Sequence, residues 1–253
     1  MTRYALHIEY DGRGFVGWQR QTNGVSIQQV LEEAAAKLAG GAPVASVVAG
    51  RTDAGVHAMG QTAIISLPGD LPPLKVREAL NFHMKPHAVV VVRAAVAVGD
   101  WNPRFSALWR RYRYIILNRR ARPALQMGQV WHVPHPLDVA AMAEGAGHLL
   151  GRHDFTSFRA SSCQAKSPVR TMDRLEVRAE GDLVVIEAEA RSFLHHQVRN
   201  MVGTLKLVGD GSWPAARVAT ALAAVDRRAG GPTAPPDGLC LMAVGYDPDP
   251  FAG

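Results

Sequence analysis

The alternation of strand-like and helix-like stretches is the strongest constraint on how this chain can fold. In its first half, "YALHIEY" is rich in strand formers, and the stretch after Ser26 has apolar residues at helical spacing. Ser26 and Gln29 have the spacing of a capping box. The predicted elements of this half are a strand at 4–10, a helix from 27 that Gly40 ends, two strands around loop 50–58, a helix after Pro72–Pro73 and a strand at 88–96.

The second half mixes strands and helices in a similar order. Gly181 separates two strand-like runs and predicts a hairpin. The predicted elements of this half are a strand at 110–118, a helix at 138–151, the hairpin arms at 170–181 and 182–191, helices at 193–209 and 215–225, and a strand at 239–246.

These patterns indicate an α+β protein built from two similar subdomains, 1–104 and 105–253. If their antiparallel sheets join, a groove runs between the two halves. Of the 253 residues, 47% are hydrophobic, which is enough for a substantial core. Lysine and arginine exceed aspartate and glutamate by 28 to 22, and this surplus favours a polyanionic partner.

Cysteine use and hydropathy indicate a cytoplasmic protein. Only Cys163 and Cys240 occur, with no CxxC or Cys/His grouping, so neither a disulfide framework nor a structural zinc site is expected. The first residues lack the apolar run of a signal peptide. The apolar run near residue 90 is interrupted by Arg93 and is too short to span a bilayer.

The loop "GRTDAGVHA" (50–58) is the first candidate site. Asp53 in such a loop is most simply a turn aspartate that caps nearby amides. Arg51, however, leaves an extended segment on the same side as Asp53, and the flanking glycines permit a close approach to a ligand. A carboxylate would repel a phosphate ligand, so it is better explained if it acts on that ligand. A metal site made by Asp53 and His57 is the weaker alternative, because no HxxxH or HxH grouping supports it.

Two further stretches carry candidate residues. In the predicted helix "SFLHHQVRNMVG" (192–203), the adjacent His195 and His196 should point apart, and Arg199 could reach a carboxylate or phosphate. In "RFSALWRRYRYIILN" (104–118), cations alternate with aromatic rings, a composition that suits flipped-out or single-stranded bases. The basic residues there are Arg104, Arg110, Arg111 and Arg113, and the two tyrosines are Tyr112 and Tyr114, of which Tyr114 is expected in the core.

Together these stretches resemble the TruA family of tRNA pseudouridine synthases. The resemblance runs in order over nearly the whole chain. Its motifs are "EYDG", "GWQRQ", "GRTDAGVHA", "RFSA", "RRYRYII", "DFTSFR", "FLHHQVRNMVG" and "GLCLMAV". Here Asn102 and Pro103 stand before "RFSA", where many members have His-Ala.

The resemblance implies a fold of two α+β halves around a central RNA-binding cleft, a homodimer, and no cofactor or metal. It implies that uridines at positions 38, 39 and 40 of the tRNA anticodon arm become pseudouridines. Asp53 would be the catalytic carboxylate, and Arg199 would pair with it. Tyr112 would stack on the target uracil, Leu241 would support that base from below, and Arg51 would assist its extrusion. Arg104 and Arg111 are the expected RNA contacts.

Rival functions are a pseudouridine synthase for another RNA or other tRNA positions, a nucleoside glycosidase, and a non-catalytic RNA-binding module. A glycosidase would normally need a second carboxylate to activate water, and none is evident near Asp53. A binding module would have no need of Asp53 at all.

Overall fold

A computed structural model describes residues 1–252 of the chain. It contains strands β1 (Thr2–Tyr10), β2 (Ser46–Val48), β3 (His57–Leu67), β4 (Val89–Val96), β5 (Trp109–Leu117), β6 (Trp131–His132), β7 (Gly151–Asp154), β8 (Val169–Glu180), β9 (Leu183–Ala190) and β10 (Leu239–Gly245). Its helices are α1 (Ile27–Leu38), α2 (Pro73–His83), α3 (Val139–Gly147), α4 (Gln197–Gly209) and α5 (Ala216–Ala223), with short 3-10 turns at Thr156–Phe158 and Arg227–Ala229. None of the helices within residues 1–252 is long and apolar enough to cross a membrane.

The described chain forms two compact units. The first unit is Met1–Trp109 together with the segment that begins at Cys240, and the second is Arg110–Leu239. The closing segment therefore groups with the N-terminal residues, although the sequence analysis counted it in the second subdomain. Strands and helices occur in both units, which confirms the α+β class.

In the first unit, the strands lie in the order β4-β1-β3-β10, with β2 also paired to β3. Strand β1 is antiparallel to both of its neighbours, while β10 runs parallel to β3. Helix α1 begins as predicted, because the Ser26 Oγ accepts the amide of Gln29 at 3.1 Å. The Gln29 side chain donates to Glu33 instead of reaching back, so only half of the capping box forms.

In the second unit, the strands lie in the order β5-β9-β8-β7, with β6 beside β5. The hairpin predicted around Gly181 is β8–β9, and Gly181 has a positive φ of 59°. The two short strands β6 and β7 were not predicted. The expected helix at 138–151 ends earlier, at Gly147.

The prediction of a helix from residue 193 was wrong at its start. Helix α4 begins at Gln197, and His196 before it has left-handed backbone geometry, with φ of 62°. His195 and His196 therefore do not lie on opposite helical faces. Their ring centroids are 4.1 Å apart.

Strand β4 is the edge of the first sheet, and a side chain of α2 covers its middle. The Asn81 Oδ1 accepts the Val91 amide at 2.7 Å, and the Asn81 Nδ2 donates to the Val91 carbonyl at 2.9 Å. Both backbone groups of Val91 are thereby satisfied by one amide side chain. Exposed edges template unwanted strand pairing, and Val90 and Val92 beside this position are exposed.

We expect Asn81→Ala to lower the free energy of unfolding by about 1–3 kcal/mol, because it leaves two edge groups of Val91 unpaired. It should also increase concentration-dependent association. Urea unfolding and light scattering measure the two effects. Glu78→Ala, an exposed change one turn earlier on α2, is the control and should stay within about 0.5 kcal/mol. Equal stability of the two variants would contradict this role of Asn81.

Candidate active site

The loop between β2 and β3 presents Arg51 and Asp53 away from the protein interior. Thr52 is 6% exposed, whereas Arg51 is exposed and Asp53 partly exposed. The Val56 amide donates to the Asp53 carbonyl at 3.2 Å, which closes a turn directly after the carboxylate. The two charged side chains are thus more exposed than the threonine between them.

Buried polar groups fix the backbone before Asp53. The Gln61 Nε2 donates to the Gly50 carbonyl at 2.8 Å and to the Tyr10 Oη at 3.2 Å. The Tyr10 Oη lies 2.7 Å from the Thr52 Oγ1. The Trp18 amide donates to the Thr52 carbonyl at 3.0 Å. Tyr10, Gln61 and Trp18 hold the loop, and sequence reasoning missed all three. A glutamine inside the apolar strand "HAMGQTAIISL" was the available signal.

The segment between β1 and α1 packs against the same loop. Gly17 has a φ of 105°, and a Cβ at this position would lie 2.8 Å from the Thr52 carbonyl oxygen. A Cβ at Gly12 would lie 2.2 Å from the Val56 carbonyl oxygen. Both glycines are therefore required by close backbone approach to the loop that carries Asp53.

His57 is engaged in the structure of this segment. Its Nδ1 lies 3.1 Å from the Gly12 amide and 3.1 Å from the Asp11 Oδ1, and the residue is 9% exposed. Partial burial of Asp11 opposes ionisation, but hydrogen bonds from Arg13 and the nearby His57 outweigh burial and lower the pKa of Asp11. These contacts give His57 a packing role that needs no metal.

Strand β10 lies beside the start of β3. Cys240 pairs with His57 and Leu241 with Ala58, and a Cβ at Gly60 would lie 2.4 Å from the Met242 carbonyl oxygen. Leu241 has no exposed surface. Its position brings the last motif of the chain next to the residues that follow the Asp53 loop.

In the second unit, β5 carries the aromatic and basic residues. Tyr114 is fully buried, as expected, and its hydroxyl donates to the Pro235 carbonyl at 2.8 Å. Tyr112 is partly exposed, and its ring meets Phe193 edge-on with centroids 5.1 Å apart. Arg110 is 7% exposed and donates to the Arg191 carbonyl at 2.6 Å, so it belongs to the interior.

The other two arginines of β5 form ion pairs across the strand pair β5–β9. The Arg111 Nη2 lies 2.6 Å from the Glu189 Oε2, and the Arg113 Nη2 lies 2.9 Å from the Glu187 Oε1. The basic stripe expected from the sequence is thus accompanied by carboxylates on the neighbouring strand.

Helix α4 positions Arg199 through a close backbone contact. The Arg199 Nε donates to the Ala234 carbonyl at 2.8 Å, and the Ala234 amide donates to the Arg199 carbonyl at 3.1 Å. A Cβ at Gly203 would lie 1.8 Å from the Pro232 carbonyl oxygen, so only glycine lets this segment lie along the helix. The segment Pro232–Ala234 therefore packs closely against α4 at Gly203.

Asn102 organises the turn that presents Arg104. Its Oδ1 accepts the amides of Arg104 and Phe105 at 2.9 and 3.2 Å, which forms an Asx turn. Arg104 and Phe105 are exposed, and the guanidinium carbon lies 5.7 Å from the ring centroid. An exposed cation beside an exposed ring suits a nucleic-acid contact. The asparagine that departs from the family pattern thus supplies the turn geometry itself.

Comparison with known proteins identifies the class. The family model for tRNA pseudouridine synthase matches residues 6–106 and 146–247. The chain belongs to the tRNA pseudouridine synthase family and is an enzyme of this type.

Individual relatives agree with this assignment. The chain is 71% identical over 252 residues to tRNA pseudouridine synthase A of Acidiphilium cryptum, covering 99% of both chains. It is 55% identical to the protein of that name from Gluconobacter oxydans, covering 99% of this chain and 92% of the relative. It is 58% identical to that from Paramagnetospirillum magneticum, covering 97% and 96%.

We expect Gly17→Ala to slow the reaction, because its Cβ would push the Thr52–Ala54 backbone away from its present position. Gly14→Ala is the matched control: Gly14 also has a positive φ, of 80°, but no atom lies within 4 Å of its added Cβ. Both variants should lose about 1–3 kcal/mol of stability from backbone strain. Only Gly17→Ala should lower the single-turnover rate at saturating tRNA. Equal rates for the two folded variants would show that this contact does not position the loop.

Proposed function

We propose that this protein converts uridine into pseudouridine at positions 38, 39 and 40 of the anticodon stem and loop of tRNA. Membership in the tRNA pseudouridine synthase family supports the reaction and the substrate class. The observation that carries the site is the Asp53 loop, in which a carboxylate and Arg51 project from a backbone fixed by buried hydrogen bonds.

Asp53 is the proposed catalytic carboxylate. In the reaction, the N1–C1′ bond breaks, the uracil turns, and its C5 joins C1′. Breaking the bond leaves the sugar electron-poor, and a carboxylate stabilises or traps such a centre, as in glycosidases. One carboxylate suffices because the base stays bound and no water is added. Attack at C1′, addition at the uracil C6 and proton removal from C2′ all use the same group.

The remaining residues are assigned by what each can offer a flipped uridine. Tyr112 supplies a ring for stacking, and the guanidinium of Arg199 is the proposed partner of the Asp53 carboxylate. Arg51 is exposed beside Asp53 and is long enough to occupy the space that an extruded base leaves. Leu241 supports the base from within the first sheet, where it is buried.

Several residues outside the loop suit an RNA partner. The formal charge of +6 favours a polyanion, and Arg104 with Phe105 forms the exposed contact. We propose that Arg111 also contacts RNA. We further propose a homodimer that binds tRNA across both subunits, as the family resemblance implies. A cytoplasmic location is proposed because the two free cysteines suit a reducing compartment.

We expect Asp53→Asn to lower single-turnover pseudouridine formation by more than about a hundredfold while tRNA affinity stays within a few-fold. The amide keeps the shape and removes the charge. The measurement is carbodiimide-dependent primer extension on unmodified tRNA transcripts, with filter binding for affinity. Asp70→Asn, which removes an exposed carboxylate elsewhere in the first unit, is the control and should react normally.

The mapped positions test the alternatives. Modification outside positions 38–40 would replace the proposed target with other tRNA positions. Full activity of Asp53→Asn would remove the catalytic role of Asp53, and wild-type binding without product would indicate an RNA-binding module.

The salt dependence of tRNA affinity distinguishes an arginine that contacts phosphate from one whose charge is already paired. We expect Arg104→Ala to reduce the slope of log affinity against log salt by about one unit, because a phosphate contact releases about one counterion. Arg111→Ala should reduce it by less, since Glu189 already compensates the Arg111 charge. Affinities are measured over a series of salt concentrations. A larger effect at Arg111 would mean that the Glu189 pair opens when tRNA binds.

A further inference from the structure

The side chains of Gln61, Tyr10 and Thr52 form a buried chain of hydrogen bonds that ends next to Asp53. Gln61 is 0%, Tyr10 3% and Thr52 6% exposed. Tyr10 ends β1, Gln61 lies within β3, and Thr52 is the residue before Asp53. Burying three polar groups is favourable only if each finds its partner.

The hydrogen bonds link Gln61 to Tyr10 and Tyr10 to Thr52. The Gln61 Oε1 accepts the Thr62 amide at 3.1 Å, which fixes the orientation of the side-chain amide. The two hydrogens on the Gln61 Nε2 then go to the Gly50 carbonyl and the Tyr10 Oη. The Tyr10 Oη, which accepts from Gln61, also shares a hydrogen bond with the Thr52 Oγ1, in which either hydroxyl can be the donor.

Burial makes the hydrogen bond between Tyr10 and Thr52 insensitive to pH. It raises the pKa of Tyr10, although hydrogen bonds from Thr52 and Gln61 act the other way. The phenol therefore stays protonated through the neutral range, and its hydrogen bond with Thr52 persists there.

The hydrogen bonds among Gln61, Tyr10 and Thr52 fix the loop at two points. Gln61 holds the backbone at Gly50, and Tyr10 holds the side chain of Thr52 inward. Thr52 is buried, whereas Arg51 beside it is exposed and Asp53 is partly exposed. Holding Thr52 in its buried position therefore restrains the backbone from which both charged side chains extend.

We propose that the Gln61–Tyr10–Thr52 chain positions Asp53 for catalysis, with Tyr10 and Thr52 as positioning residues that do not touch the substrate. This inference rests on the catalytic role proposed for Asp53. Displacing a reacting group by about 1 Å costs up to about a hundredfold in rate, so a fixed loop is a catalytic requirement.

The test removes single hydroxyl groups without changing side-chain shape. Thr52→Val and Tyr10→Phe should each lower the single-turnover rate at saturating tRNA by about tenfold. The tRNA dissociation constant should stay within about twofold, because Arg51 and the basic residues are unchanged. Thr52→Ser keeps the hydroxyl and should restore most of the rate. The double variant should lose much less than the product of the two single losses, because both changes break the same hydrogen bond.

Tyr4→Phe is the matched control. Tyr4 lies on the same strand, is 0% exposed, and its hydroxyl accepts from the Leu71 amide and donates to the Leu71 carbonyl, both at 2.8 Å. It should lose stability as Tyr10→Phe does, measured by urea unfolding, but react at the wild-type rate. The pH profile of Tyr10→Phe should run parallel to that of the wild type, since the hydroxyl holds geometry and transfers no proton.

The outcomes separate the two proposals. Wild-type rates for folded Tyr10→Phe and Thr52→Val would overturn the positioning role, and so would an equal loss of rate in Tyr4→Phe. A changed pH profile would replace positioning with a proton-transfer role. If Asp53→Asn keeps its turnover, the catalytic role proposed for Asp53 fails instead, whatever the hydroxyl variants do.

Discussion

The pairing of β1 with β3 is the interaction on which the Asp53 loop depends. Ile8 pairs with Gln61 and Tyr10 with Ala58, so β3 contains one more residue than β1 between these two pairs. Such a bulge changes where the neighbouring side chains point and commonly lies next to functional sites. It brings the Gln61 amide to the Tyr10 hydroxyl and places Gly60, which permits the close approach of β10, in the irregular stretch.

In the second unit, ion pairs with glutamates occupy several of the basic side chains. The Glu187 carboxylate lies near the guanidinium groups of Arg113, Arg174 and Arg178. Burial of Glu187 opposes ionisation, but its hydrogen bonds from Arg113 and Arg178 outweigh burial and lower its pKa. These arginines stabilise a buried carboxylate within the sheet. A count of arginines along β5 therefore overstates the unpaired positive charge on this strand, and the exposed Arg104 turn is the better candidate for an RNA contact.

The sequence predicted most elements because their local patterns and their packing agree. Helix α1 has both its apolar stripe and its Ser26 cap, and the hairpin at Gly181 has its turn glycine. The predicted start of α4 was wrong because the helical spacing of residues continues through "FLHH", while the backbone at His196 has left-handed geometry. No local pattern indicates that turn, and the short strands β6 and β7 likewise depend on distant partners.

The candidate loop was predictable only in its exposed half. A carboxylate close to a guanidinium is unusual in a strand-connecting loop, so the sequence alone indicates Asp53 and Arg51 as candidates. Thr52 and Gln61 look ordinary in sequence, since their importance arises from hydrogen bonds to residues 42 and 51 positions away in the chain. The motif "GRTDAGVHA" therefore combines two kinds of residue. Arg51 and Asp53 face outward and meet the substrate in the proposed function, and Thr52, Val56 and His57 are buried and hold the backbone.

This division explains why the motif depends on the rest of the first unit. The outward residues are useful only at a fixed position, and that position is held from beneath by Tyr10, Trp18 and Gln61, which lie in other segments. Segments far apart in the sequence must consequently fit together at contacts as close as the one at Gly17. The motif "GRTDAGVHA" is local in sequence, but its backbone position depends on hydrogen bonds from residues of β1 and β3.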